Sequence, residues 1–271
     1  MRAVDESSSA QRDDGGVPVS PAWPWLAPAA ALQFLTICPL FVRRAFSKSE
    51  LGASVSFFPI VGLLLGGALS AAGWIGATVL PWGVVSAGIV ALWLALTGGL
   101  HFDGLLDSCD GLFGGRNAQQ RLEIMRDERV GAFAVAGGVL LLLGKWSAIF
   151  HLGPDTVALL AAPVAGRWVM VLAIWRYPYV RDEGLGLAMK EAVSLATVVV
   201  ATLVALGVVI GLAPLAGAVS LVGVLGVCWL VVRFVIARIG GMTGDTYGLL
   251  CEAGELAVLV SFCAFIVPEA L

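Results

Sequence analysis

The chain has 271 residues, 59% hydrophobic and only 13% charged, with a mean hydropathy of +0.94. Soluble domains carry about 25% charged residues, so a water-facing globule, and with it a soluble enzyme, is excluded. A net charge of −3 gives no electrostatic case for a nucleic-acid partner.

Residues 1–25 differ in composition from the rest, with Ser7 to Ser9, Asp13, Asp14, Gly15, Gly16 and a Pro/Trp cluster ending at Pro24. They read as a disordered cytoplasmic extension. The order of a secretory signal, a basic stretch followed directly by an apolar core, is absent. Residues 26–271 read as one transmembrane catalytic domain.

Leu26 to Val42 is apolar but broken by Gln33, Thr36 and Pro39, which suits an interfacial or re-entrant helix. Seven stronger apolar stretches follow, near 56–79, 84–100, 131–151, 157–175, 193–211, 215–236 and 256–267. The last is too short for an upright span unless it extends backward. The expected fold is therefore all-α: a polytopic membrane bundle of about seven spans plus the amino-terminal helix.

Basic residues set the orientation, because cytoplasmic loops retain Lys and Arg. Arg43, Arg44 and Lys48, then Arg116, Arg121, Arg126 and Arg129, then Arg176, Arg181 and Lys190, then Arg238 all fall on one side. The opposite loops, near 81–83, 152–155 and 212–214, contain no Lys or Arg. This pattern puts the amino terminus and the charged loops in the cytoplasm. Five cysteines at 38, 109, 228, 251 and 263 lack metal-site spacing and read as small apolar residues.

Ten of the 35 Asp, Glu, Lys and Arg residues fall between Asp103 and Arg129. If span two continues as a helix, Asp103, Asp107 and Asp110 stand at i, i+4 and i+7, within about 60° of one face. Like charges so placed repel and call for a positive partner. A hard divalent cation such as magnesium is the natural one, since it takes one or two carboxylates together with substrate phosphates. Arg116, Arg121, Arg126 and Arg129 supply the forked donors that suit phosphate oxygens. Together they point to phosphoryl-group chemistry on a magnesium-bound diphosphate.

A second polar segment, Arg238 to Gly248, adds Thr243 and Asp245, with Glu252 and Glu255 beyond. Asp245 and Glu252 share a helical face at i and i+7 and could bind metal or substrate; alternatively Thr243 or Asp245 caps a helix. Lys145 and Arg167 fall inside spans three and four, where a charge needs a cavity or a carboxylate. Lys145 could instead snorkel to the boundary. His101, beside Asp103, could orient a carboxylate or act in proton transfer.

These residues resemble the adenosylcobinamide-GDP ribazoletransferase family, also called cobalamin synthase. The likeness rests on the block from Leu96 to Gly115 containing His101-Phe-Asp103-Gly-Leu-Leu-Asp107-Ser-Cys-Asp110, and on Arg121-Leu-Glu-Ile-Met-Arg126-Asp127 leading to Gly131. It continues in Phe57-Phe58-Pro59-Ile-Val-Gly62, Gly166-Arg167-Trp168 and Gly240-Gly-Met-Thr243-Gly-Asp245-Thr-Tyr-Gly248. The resemblance implies a magnesium-dependent enzyme of the bacterial inner membrane. It would join adenosylcobinamide-GDP to α-ribazole or its phosphate, release GMP, and could associate with other late cobalamin-pathway enzymes. On this view Asp103, Asp107 and Asp110 hold magnesium on the diphosphate, and Arg116 and Arg126 neutralise the departing GMP. Asp110 or Asp127 would deprotonate the attacking hydroxyl. His101, Arg121, Arg167, Thr243, Asp245 and Glu252 complete the expected substrate contacts. The alternatives are a CDP-alcohol phosphotransferase, whose aspartate spacing this chain lacks, and a corrinoid transporter, which would carry polar residues across the whole membrane.

Overall fold

The structure, a computed structural model, describes residues 24–39, 42–154 and 157–265. Of the extension expected over residues 1–25, all but Pro24 and Trp25 lies outside the described residues. Those two open a short 3-10 turn leading into α1 (Ala27–Leu35). At nine residues α1 is too short to cross a bilayer. The Gln33 side chain bonds both the N–H and the C=O of Val42, tying Val42 to α1.

A capping box of Ser47 and Glu50 starts α2 (Lys48–Ser54), which passes through a 3-10 turn into α3 (Phe58–Ala77). The chain continues through α4 (Trp82–Leu96), α5 (Leu100–Gly114), α6 (Ala118–Ile124), α7 (Ala132–Leu152) and α8 (Ala158–Arg176). It closes with the short α9 (Leu185–Ala192), then α10 (Leu195–Leu212), α11 (Pro214–Ile239) and α12 (Gly244–Cys263). The described residues form no strand, only an isolated bridge between Tyr179 and Met242. Six of these segments are long and apolar enough to cross a membrane, and the bent pair α4 and α5 makes up to seven. The protein is a polytopic helical membrane protein.

The core sits on α8. Of its apolar window 83% is buried, against 22% for α10, because α3, α10, α11 and α12 surround it. Alanines 158, 161, 162, 165 and 173 on α8 are at most 2% exposed, and small side chains of this kind let membrane helices pack closely.

Two expectations are corrected. Span two does not run on as one helix: Gly98 and Gly99 adopt φ of +60° and +70°, and α5 leaves α4 at 90°. A residue with a Cβ is strained in that left-handed region. The last span begins at Gly244 instead of 256. Its first half carries Asp245, Glu252 and Glu255, whose charge masks a transmembrane helix by composition, but both glutamates are paired inside the bundle.

Candidate active site

α5 lies across the ends of three other helices. Near its start, the backbones of α5 and α12 touch. A Cβ on Gly104 would come within 2.8 Å of the Asp245 carbonyl oxygen, and one on Gly248 within 2.8 Å of that of His101. Further along, Asp110 reaches the start of α7, and the Leu112 carbonyl accepts from Arg238 at the end of α11. These contacts place α5 at one end of the bundle, and α5 by itself is not among the helices long and apolar enough to cross a membrane.

Asp103, Asp107 and Asp110 do share a face of α5, but they have different surroundings. The Asp110 oxygens accept from the backbone N–H groups of Gly131 at 2.6 Å and Ala134 at 2.8 Å. Asp110 thus caps α7, satisfying donors that a helix start leaves open, and is not a free proton acceptor. Asp107 is half-buried, and its pKa is pushed up to about 7 by that burial and by the charges of Asp103 and Asp245, against the opposing effect of Arg181. Crowded carboxylates with so high a proton affinity make a place where a cation would be favoured.

Asp103, Asp107 and Asp110 line a cavity of about 310 Å³ together with Arg126 and Asp127. Asp127 takes two hydrogen bonds from the Arg129 guanidinium, at 2.7 and 3.0 Å, and another from its backbone N–H. That guanidinium holds its carboxyl down at about 2, which makes Asp127 a poor base at neutral pH. Arg126 is exposed and, among the described residues, its side chain makes no hydrogen bond or ion pair.

On the other side of Asp103 lies a second cavity, of about 300 Å³, between α5, α8, α9 and α12. His101, Asp103, Tyr179, Arg181, Glu183, Asp245 and Tyr247 form its polar wall. His101 is 2% exposed, and burial, followed by the nearby Arg167 and Lys145 charges, drives its pKa well below the usual histidine value. Its imidazole is therefore neutral. Asp245 pairs with Arg181 at 2.5 Å.

Asp103 belongs to both walls. The arrangement therefore offers a carboxylate pair with an arginine on one side, suited to a diphosphate, and a partly apolar chamber on the other. Among the described residues, no group of three His, Cys, Asp or Glu side chains is placed to hold a metal ion alone. Magnesium does not require one, since one or two carboxylates with substrate phosphates suffice. The pair Asp103 and Asp107 fits that role, whereas Asp110 is committed to α7.

Several expected contacts lie elsewhere. Arg116 is exposed and lines neither cavity. Arg121 donates to the Arg238 carbonyl and ties α6 to α11. Thr243 is fully buried and forms a capping box with Thr246 at the start of α12, the alternative considered for it. Arg167 and Glu252 belong to a buried charge network. Lys145 bonds Glu252 at 2.5 Å and also Glu255, and Glu255 bonds Arg167. These four side chains are at most 5% exposed, so Lys145 does not snorkel. The network joins α7, α8 and α12 beneath the site.

Arg181, Tyr179 and Tyr247 are site residues that sequence reasoning passed over. Arg181 entered only as a topology charge. It reaches Asp245 because residues 178–180 pair with Met242, through Val180 N–H to the Met242 carbonyl and Met242 N–H to the Pro178 carbonyl. No local spacing encodes that pairing; the one available signal is that both segments lie on the basic side.

The fold and site thus define a membrane-embedded helical protein with an acidic, arginine-bearing centre at one end of its bundle. The family model described as cobalamin-5-phosphate synthase matches residues 27–263, and the chain belongs to that family. It is similar to adenosylcobinamide-GDP ribazoletransferase of Desulforamulus reducens, 43% identical over 233 residues, covering 84% of this chain and 92% of the relative. The protein of the same name from Herpetosiphon aurantiacus is 39% identical over 90% of this chain and 98% of its own length. That from Deinococcus radiodurans is 40% identical over 84% and 82%. No solved structure matches. The protein is a transferase of cobalamin biosynthesis, and this membership decides against the CDP-alcohol and transporter alternatives.

Proposed function

We propose that this enzyme joins adenosylcobinamide-GDP to α-ribazole or its phosphate and releases GMP, using magnesium, at the cytoplasmic face of a bacterial inner membrane. The observation that carries the reading is the position of Asp103 on the common wall of two unlike cavities. A transferase must bring a charged donor and a nucleoside acceptor to one point, and proximity of this kind is a large part of catalysis.

In this reading Asp103 and Asp107 would hold the magnesium ion, which would supply positive charge to the donor diphosphate. Arg126, on the same wall, binds phosphate oxygens of the departing GMP. The acceptor lies in the second cavity with a ribose hydroxyl directed at the phosphorus. Asp245, a carboxylate on that side, accepts the hydroxyl proton and is oriented by Arg181. Asp110 positions the start of α7, and thereby the loop that carries Arg126. The basic loops that flank the site favour the cytoplasmic orientation, where the other late enzymes of the route can associate with it.

The test is GMP release by detergent-purified protein given adenosylcobinamide-GDP, α-ribazole and magnesium. Release that requires the nucleoside and stops with a chelator is expected. Release without α-ribazole would make the enzyme a hydrolase, and no release from folded protein would overturn the reading.

A further inference from the structure

The cavity on the acceptor side of Asp103 is walled largely by apolar and aromatic side chains, among them Phe34, Phe58, Met170 and Met189. Tyr179 and Tyr247 also line it, with their rings stacked at 6.1 Å and 30°. The Tyr247 hydroxyl and both ring nitrogens of His101 have no hydrogen-bond partner within the protein, although these residues are only 3% and 2% exposed. Buried polar groups in folded proteins are nearly always satisfied, so two unpartnered ones on a single cavity wall point to a ligand.

We propose that this cavity holds the planar heterocycle of the acceptor nucleoside, with the Tyr247 hydroxyl donating a hydrogen bond to its ring nitrogen. The assignment rests on the transferase reading above, which supplies the acceptor. A purine such as the guanine of the donor presents several donors and acceptors along its edge, and each would need a partner. A benzimidazole nucleoside presents a single ring nitrogen with a free lone pair, and the rest of its edge is hydrocarbon. Apart from the charged residues Asp103, Arg181, Glu183 and Asp245, the methionine and phenylalanine walls with one free phenol match the second pattern. A volume of about 300 Å³ suits a nucleoside and is far too small for a corrinoid, which must remain outside. His101 stands two residues before Asp103, where the ribose would lie between base and reacting phosphate, and its two unpartnered ring nitrogens offer hydrogen bonds to ribose hydroxyls.

Binding to the detergent-purified full-length chain tests the assignment. α-Ribazole is compared with its indole counterpart, in which C–H replaces the ring nitrogen, on wild type and Tyr247→Phe. Wild type should prefer α-ribazole by about 5- to 10-fold, the worth of one hydrogen bond. Tyr247→Phe should lose that preference while keeping its affinity for the indole nucleoside. A preference that survives in Tyr247→Phe overturns the proposal, as does an equal loss of both ligands in a variant that melts like wild type. Should the variant not fold, wild type alone decides, because equal affinity for the two nucleosides is incompatible with the proposed bond. Binding is read without turnover, so wild type that shows the preference yet releases no GMP supports the pocket and refutes only the reaction. GMP release with an unchanged preference in Tyr247→Phe does the reverse.

Discussion

Asp107→Asn should stabilise the protein at alkaline pH. In the folded state the carboxyl titrates at about 7 instead of 3.8, so above pH 7 folding must hold a charge that the surroundings disfavour. A shift of that size corresponds to about 4 kcal/mol at 1.36 kcal/mol per pH unit. Asp107 is only half-buried, and solvent screening reduces the expected gain to about 1–2 kcal/mol. Because the folded pKa is raised, the folded state binds the extra proton between about pH 4 and 7, and wild-type stability falls as pH rises through that window. The gain from Asn should therefore be largest near pH 8 and shrink toward pH 4, as the wild-type carboxyl becomes protonated in the folded state. Melting curves in detergent at pH 8 and pH 5 measure this. Millimolar magnesium at pH 8 should raise the wild-type midpoint and leave Asp107→Asn nearly unmoved. A variant less stable than wild type at pH 8, or a gain that grows toward acid, would refute the reasoning.

Three further outcomes follow from the site and its support. Arg126→Ala should lower the rate of GMP release by at least tenfold, whereas Asp127→Asn, which removes only a surface pair with Arg129, should change it less than threefold; steady-state kinetics separate the two. Glu255→Gln should destabilise the chain by about 3–5 kcal/mol, because it deprives both Lys145 and Arg167 of a buried partner. Glu252→Gln should cost less, since Lys145 keeps Glu255, and thermal unfolding of the two variants gives the comparison. Gly248→Val should wedge α12 away from α5, where even a Cβ meets the His101 carbonyl at 2.8 Å; the expected result is loss of turnover with the spanning helices retained, read by GMP release alongside circular dichroism.

Elements written in local hydropathy could be read from the chain. Stretches such as 131–151 and 157–175 fall within a residue or two of α7 and α8, since an apolar run of that length has few other solutions in lipid. The common face of Asp103, Asp107 and Asp110 was equally legible, because it depends on helical period alone. What those carboxylates do was not. Asp110 caps a helix that starts 21 residues later, and Asp245 meets Arg181 across 64 residues, and neither distance leaves a trace in spacing. The early start of α12 was hidden for a related reason: the charges that depress its hydropathy are neutralised by Lys145 and Arg167, on other helices.

The buried network also imposes an order on synthesis. Lys145 enters the membrane on α7 and Arg167 on α8, but their carboxylate partners arrive only with α12, 107 residues after Lys145 and 88 after Arg167. Until then the nascent chain carries two cations in the bilayer without those partners, each opposing insertion by about 2.5–3.5 kcal/mol. The final helix thus acts as a latch for the whole bundle. A nascent chain that has not yet reached Glu252 therefore holds α7 and α8 without the carboxylates that tie them to α12.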